Sequence, residues 1–274
     1  MDDEAGGLTR ERALTALRVR ERRPPLPAPR ERNISDQVAA TLGREIVRGL
    51  HPPGAQLPNS DEMCARFRVS RTALREAYSL LSAKALIAAR PKTGTRVRAR
   101  EDWNLFDPDV LAWHIESAPA GAFTQHLFVL RQWVEPEAAA LAAQARARDT
   151  IARIASAFER MERFKDGSGD LIEADLDFHM QILRASGNPF LSALGGLIRA
   201  SLYCAFRYSW EGAARMQVSR LEQHGAILEA IRAGDPDAAR ARMRALLTDS
   251  ADDVKAFFAK GASDGLTNAA PSDF

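Results

Sequence analysis

Two cysteines in 274 residues, Cys64 and Cys204, stand 140 positions apart, and so few exclude a disulfide framework. A reducing cytoplasm is the expected compartment. No apolar run approaches the roughly 18–20 residues needed to span a bilayer, and the N-terminus lacks the apolar core of a secretory signal. No HExxH or comparable pairing of metal ligands with a general base occurs, so a metallohydrolase would lack its usual signature. Strand-like alternation is missing from the whole chain beyond residue 100.

What the chain does contain is charge, unevenly spread. Its length suits one large domain or two ordinary ones, and 46% apolar with 27% charged residues fits a soluble globular protein. The net charge of +2 conceals a division: residues 1–32 carry +2, residues 33–100 carry +7 and residues 101–274 carry −7. A compact basic segment beside an acidic one points to a polyanion as partner of the first alone. Charge by itself does not separate nucleic acid from an anionic membrane.

Residues 1–32 read as a disordered tail. "RERRPPLPAPRER" puts four prolines within six residues, which forbids regular helix. A mobile leader and a basic arm on a DNA backbone are both open to this segment. Order is expected from Ile34, where Ile34, Val38, Leu42 and Ile46 recur every four residues until Gly49 ends the helix. "HPPGAQLP" is a turn, and Asn59 with Glu62 three residues on makes a capping-box start for a second helix. "RFRVS" then leads into "VSRTALREAYSLL". There Leu74, Ala77, Tyr78 and Leu81 take the i, i+3, i+4, i+7 spacing of a buried face. Ser70 stands at the N-cap, and Arg71, Thr72 and Arg75 crowd the exposed side. Any solvated amphipathic helix has this pattern, so its surroundings decide. "ALIAAR", the turn "PKTG" and "TRVRAR" follow, the last alternating Thr95, Val97 and Ala99 with Arg96, Arg98 and Arg100 as a strand with one basic face. Three helices and a hairpin make a winged helix-turn-helix over residues 33–100, with the third helix placed to enter a major groove. Ser70, Arg71, Thr72 and Arg75 are therefore the candidate DNA-reading residues. Arginine suits the task because it can donate two parallel bonds to guanine O6 and N7 or grip a phosphate. Lys92, Gly94 and Arg96 are the candidate wing contacts, with Gly94 allowing a tight turn.

Residues 101–120 read as a connector and first helix. Helical segments then follow at approximately 122–146, 149–165, 170–186, 190–209, 213–233 and 236–259, with breaks at "DGSGD", "SGNP", "WEGAAR" and "AGDP". The expected fold is mainly α: the winged domain, an antiparallel all-α bundle over 121–260, and a disordered tail over 261–274. Within the bundle, "DLIEADLDFHMQILRAS" carries Asp175 and His179 on one helix face, and His224 lies among packing residues in "RLEQHGAILEAI". One carboxylate and two imidazoles can hold a divalent metal or grip a hydroxylated acid. A buried Asp–His pair plus an unrelated histidine fits the spacing at least as well.

"LGREIVRGLHPPGAQLPNSDEMCARFRVSRTALREAYSLLSAKALIAARPKTGTRVR" resembles the DNA-binding domain of the GntR family of bacterial transcription regulators. "EADLDFHMQILRASGNPFL" followed by "EQHGAILEAIRAGDPDAARARM" resembles the FCD effector domain of its FadR-type branch. The likeness spans about residues 33 to 255. It implies DNA-reading roles for Arg71 and Arg75 and a wing role for Gly94; a further DNA-contacting arginine of the family is Asp61 here. It also implies zinc, nickel or manganese bound by Asp175, His179 and His224, with an organic acid capping the metal. A third histidine of that set is replaced by Leu246. Arg131 and Asn188 match positions that in relatives lie near the cavity and meet a carboxylate; an intrahelical bridge to Glu135 and a C-cap are their plainer roles. "WNLFDPDVLAWHIE", "FRYSW" and the incomplete histidine set further resemble the galactonate-responsive repressors of sugar-acid catabolism. Trp210 then either lines the cavity or closes a helix end.

These readings lead to a bacterial cytoplasmic repressor, a homodimer on double-stranded operator DNA, modulated by a small organic acid such as an aldonate, and not to an enzyme or a membrane protein. The competing classes are a metal-dependent hydrolase built on Asp175, His179 and His224, and a DNA-compacting protein with no ligand cavity.

Overall fold

The computed structural model describes residues 33–90, 94–117, 121–165 and 170–263. These residues form two compact units. One takes in 33–129 with 193–201 and 262–263, the other 130–192 with 202–261.

The first unit begins with α1 (Ile34–Val47), whose N-cap Asn33 accepts from the amide of Asp36 at 2.8 Å. Gly49, at φ +82°, reverses the chain after it. The capping box formed by Asn59 and Glu62 starts α2 (Ser60–Phe67), and Arg68 in the left-handed region ends it. Ser70 caps α3 (Arg71–Ala83). The wing is an antiparallel pair, β1 (Ile87–Arg90) and β2 (Gly94–Val97), registered Ile87 with Val97 and Arg90 with Gly94. Val38, Leu42, Ile46, Leu57, Met63, Leu74, Leu81, Leu86 and Val97 fill the core between these elements. Two tryptophans of the expected connector, Trp103 and Trp113, join the same core. Trp113 lies on α4 (Pro108–Ser117) against Gly43 of α1, where no larger residue fits. Burying an aromatic side chain contributes about 1.5–3 kcal/mol, so this connector is part of the domain's stability as well as a tether. Lys84, at the C-cap of α3, adds ion pairs to Asp107 at 2.8 Å and Asp109 at 2.6 Å.

Helix α5 (Gly121–Ala145) contributes to both units and carries Pro136 in its interior. The second unit continues with α6 (Arg148–Arg163) packed along α7 (Leu171–Ala185). Ile154, Ala157 and Met161 are buried on α6, and Leu176, Phe178, Ile182 and Leu183 on α7. Then come the short α8 (Pro189–Ala193), the long α9 (Gly195–Ala233) and α10 (Pro236–Ser263). Ile227, Leu228 and Ile231 of α9 are buried, as are Met243, Leu246 and Leu247 of α10. Arg146 donates to the carbonyls of Ala233 and Gly234, joining the end of α5 to the turn after α9.

The bundle differs from expectation at one break. "WEGAAR" does not interrupt the helix; the backbone is helical through it, and the break falls instead at Leu194. A lone helical glycine costs only about 1 kcal/mol relative to alanine, and the alanines, glutamate and arginine around Gly212 are good helix formers. The tail expected at 1–32 lies outside the described residues, as does 264–274 of the one expected at 261–274; residues 261–263 are helical instead, because α10 runs to Ser263. Cys64 and Cys204 are not joined in a disulfide. Among the described residues no helix is long and apolar enough to cross a membrane.

Candidate DNA-reading face and a buried Asp–His–His cluster

On α3 the two faces separate as the spacing requires. Leu74, Ala77 and Leu81 are buried, while Arg71, Thr72 and Arg75 are exposed at its N-terminal end. Ser70 is also exposed, and its hydroxyl accepts from the amide of Ala73 at 3.2 Å. Arg71 Nη2 donates to Asp61 Oδ1 of α2 at 2.7 Å. In the wing, Gly94 has φ +82°, and a Cβ there would stand 3.0 Å from Gln56 Nε2. Arg96 donates to the Gly54 carbonyl at 2.9 Å and to Gln56 Oε1 at 3.3 Å, tying the wing to the turn before α2. Lys92 lies outside the described residues, as does the side chain of Trp210.

The basic strand face expected from Arg96, Arg98 and Arg100 does not form, because only Arg96 lies on the strand. β2 ends at Val97, Arg98 pairs with Asp102, and Arg100 opens a short 3-10 turn. Trp103 enforces the bend by burying its ring and donating its indole N–H to the Arg98 carbonyl at 3.2 Å.

In the second unit the structure brings Asp175, His179 and His224 together, all buried, with ligand atoms within 4.8 Å of one another. α7 supplies the first two, one turn apart, and α9 supplies His224. Asp175 Oδ1 lies 2.9 Å from His224 Nε2 and 3.9 Å from His179 Nε2. The two imidazoles stand edge to face, 5.5 Å between centroids, and Phe178 lies edge-on to both. Their orientations are set by their other nitrogens. His224 Nδ1 lies 2.6 Å from the Arg220 carbonyl, which can only accept, so the proton sits on Nδ1. His179 Nδ1 is held by the Glu135 carboxylate. Both rings therefore turn Nε2 toward Asp175.

The contact of Glu135 with His179 is the one that spacing did not single out. Arg131 and Glu135 form the intrahelical bridge, Nε to Oε1 at 2.5 Å, and both are almost fully buried. The second oxygen of Glu135 goes to His179. Burial pushes the Glu135 carboxyl up, but Arg131 and His179 outweigh it and bring it to about 2. Burial likewise pushes Asp175 up, and His224, His179 and Arg131 together leave it below its ordinary value. Both carboxylates are thus charged near neutral pH. The signal for Glu135 was present: a charged i, i+4 pair in the apolar run "LFVLRQWVEPEAAA" must be buried, and a buried carboxylate takes a further donor. Asn188 does not act as a C-cap; its side-chain oxygen accepts from the amides of Phe190 and Leu191 and starts α8.

The donor set suits a divalent ion. Two imidazole nitrogens and one ionised carboxylate oxygen are zinc-type or nickel-type ligands, and Glu135 supplies the outer carboxylate that fixes a ligating histidine. Leu246 offers only hydrocarbon from α10. It is buried, and its carbonyl accepts from Arg220 at 2.8 Å, one turn before His224. An ion held by Asp175, His179 and His224 would draw any further ligand from outside these three residues.

A winged helix-turn-helix joined to a helical unit with a buried polar cluster defines a transcription regulator with a ligand-binding domain. The family described as bacterial regulatory proteins, gntR family, matches residues 34–97, and the FCD domain matches residues 126–249. The chain belongs to the GntR family. It is 32% identical over 223 residues to the galactonate operon transcriptional repressor of Escherichia coli K12, covering 81% of this chain and 97% of that protein. It is 30% identical to the transcriptional regulator LutR of Bacillus subtilis, covering 78% and 97%. A solved structure of Lar from Listeria monocytogenes shares the fold, with a TM-score of 0.55 at 17% identity over 82% of this chain and 98% of that one. The matched families and relatives are transcription regulators rather than enzymes, and nothing in them supports a hydrolase.

Proposed function

We propose that the protein is a cytoplasmic, homodimeric repressor of a sugar-acid catabolic operon, released from a palindromic operator when an aldonate such as galactonate binds the Asp175, His179 and His224 cluster. The observation that carries this reading is the cluster itself: two imidazoles whose Nε2 atoms face one charged carboxylate, all three buried. Polar groups so enclosed are costly unless a partner satisfies them. A polyhydroxylated acid offers hydroxyl donors to the Asp175 carboxylate, and its own carboxylate oxygens would go to a metal held there. The similarity to a galactonate operon repressor supports the substrate class. Asp175, His179 and His224 would hold a zinc, nickel or manganese ion, which when bound supplies a Lewis-acidic anchor for the carboxylate and neighbouring hydroxyl of the acid. Arg131 acts here through Glu135 and His179, and Asn188 through the start of α8. On DNA, Arg71, Thr72 and Arg75 read the major groove, Ser70 holds the helix start, and the wing around Lys92, Gly94 and Arg96 follows the backbone.

Gel shifts with a panel of aldonic and uronic acids test this on wild type, His179→Ala and His224→Ala. The acid is expected to weaken operator binding by wild type, and both variants are expected to bind DNA normally and ignore the acid. If no acid changes operator affinity, or both variants respond like wild type, the effector assignment fails.

A further inference from the structure

We propose that Asp61 is a specificity-determining residue of the DNA-reading face: its carboxylate holds the Arg71 guanidinium for a base contact and withholds that charge from the phosphates of unrelated sequence. The proposal rests on the reading of α3 as the DNA-reading helix.

The backbone positions of both partners are fixed. Asn59 Oδ1 accepts from the amides of Asp61 and Glu62, each at 3.0 Å, and Glu62 returns a carboxylate oxygen to the Asn59 amide at 3.1 Å. Ser70 fixes the start of α3 one residue before Arg71. Between these two helix starts runs the Arg71–Asp61 pair, 2.7 Å long with side chains 75% and 72% exposed. An ion pair so exposed adds little to stability, so the fold does not account for it. An acid in the first turn of α2 suits the helix dipole, which explains the acid but not its partner ten residues away.

The pairing has a consequence on DNA. An arginine with every donor free attaches to any phosphate. A guanidinium held on one side by a carboxylate presents its remaining N–H groups in one plane, the geometry of a bond pair to guanine O6 and N7. The carboxylate also cancels about one positive charge in any encounter with a phosphate backbone, where affinity depends on the number of phosphates neutralised. Asp61 therefore weakens non-specific binding more than binding to the operator.

The test uses the full-length protein. A duplex selected from a randomised library and its shuffled counterpart are titrated with salt against wild type, Asp61→Asn, Arg71→Ala and the double variant. Asp61→Asn is expected to tighten the shuffled duplex about tenfold near 0.1 M salt and steepen its salt slope by about one. The selected duplex gains much less, so the ratio of the two affinities falls about tenfold and preference relaxes at one base pair. On the Arg71→Ala background, Asp61→Asn is expected to leave base preference unchanged. Thermal midpoints report the helix-start role separately. Equal shifts on both duplexes, or none, would overturn the proposal. So would a change of base preference that persists without Arg71, because Asp61 would then touch the base itself. If Arg71→Ala binds the selected duplex normally, the reading of α3 fails instead and takes this inference with it.

Discussion

Glu135 decides how the cluster behaves at the scale of single residues. It joins Arg131 to His179, with all three side chains almost fully buried. Glu135→Gln leaves Arg131 as a buried cation without its carboxylate, and breaking a buried pair in this way costs about 3–5 kcal/mol. It also removes the acceptor that fixes the His179 ring, and losing such an outer partner weakens metal binding about 10–100-fold. Urea denaturation and a metal titration measure the two losses. The pH dependence has a definite sign: the folded carboxyl, at about 2, lies below its ordinary 4.5. Its stabilisation is therefore present above pH ~4.5 and lost as pH falls toward 2. Acid denaturation of Glu135→Gln is expected to show a shallower loss across that window. Asp175 and His179 share a helix face that spacing made legible, whereas spacing left His224 open as an unrelated residue and only the family resemblance joined it to them. The Arg131–Glu135 bridge was legible from its i, i+4 spacing, but the contact of Glu135 with His179 was not, since that partner is 44 positions away and only the folded bundle supplies it.

Elements were legible wherever a local rule fixed them. Asn59 and Ser70 cap the second and third winged-domain helices as expected from short polar side chains before apolar periodicity, and Asn33 caps the first in the same way. What sequence did not reveal depended on tertiary contacts: the uninterrupted α9, the end of β2 at Val97, and the docking of Trp113 on Gly43. That docking is testable. An ideal Cβ at Gly43 would lie 2.2 Å from the Trp113 ring, so Gly43→Ala forces α1 and α4 apart. Overpacking of this kind costs about 1–3 kcal/mol, against a helix-propensity gain of about 1 kcal/mol. A net fall in thermal midpoint is expected, with Trp113→Leu partly restoring it in the double variant. A rise in midpoint for Gly43→Ala alone would mean that the ring does not sit over the glycine.

At the scale of the whole molecule, the charge division and the buried cluster make different demands on the switch. An anionic effector could weaken DNA binding simply by adding negative charge, but such an effect fades with added salt. A conformational switch obeys linkage instead. If the acid lowers operator affinity by some factor, the operator must lower acid affinity by the same factor, in the range of about 5–150-fold for couplings of 1–3 kcal/mol. Calorimetric titration of galactonate into the protein, with and without a saturating operator duplex, is expected to return the factor seen in gel shifts. Repeating both at two salt concentrations separates the mechanisms, because operator affinity itself changes steeply with salt while a conformational factor does not. A coupling that vanishes at high salt would place the effect in long-range charge. A coupling that holds, and disappears in His224→Ala, would place it in the rearrangement of a bundle built around Asp175, His179 and His224.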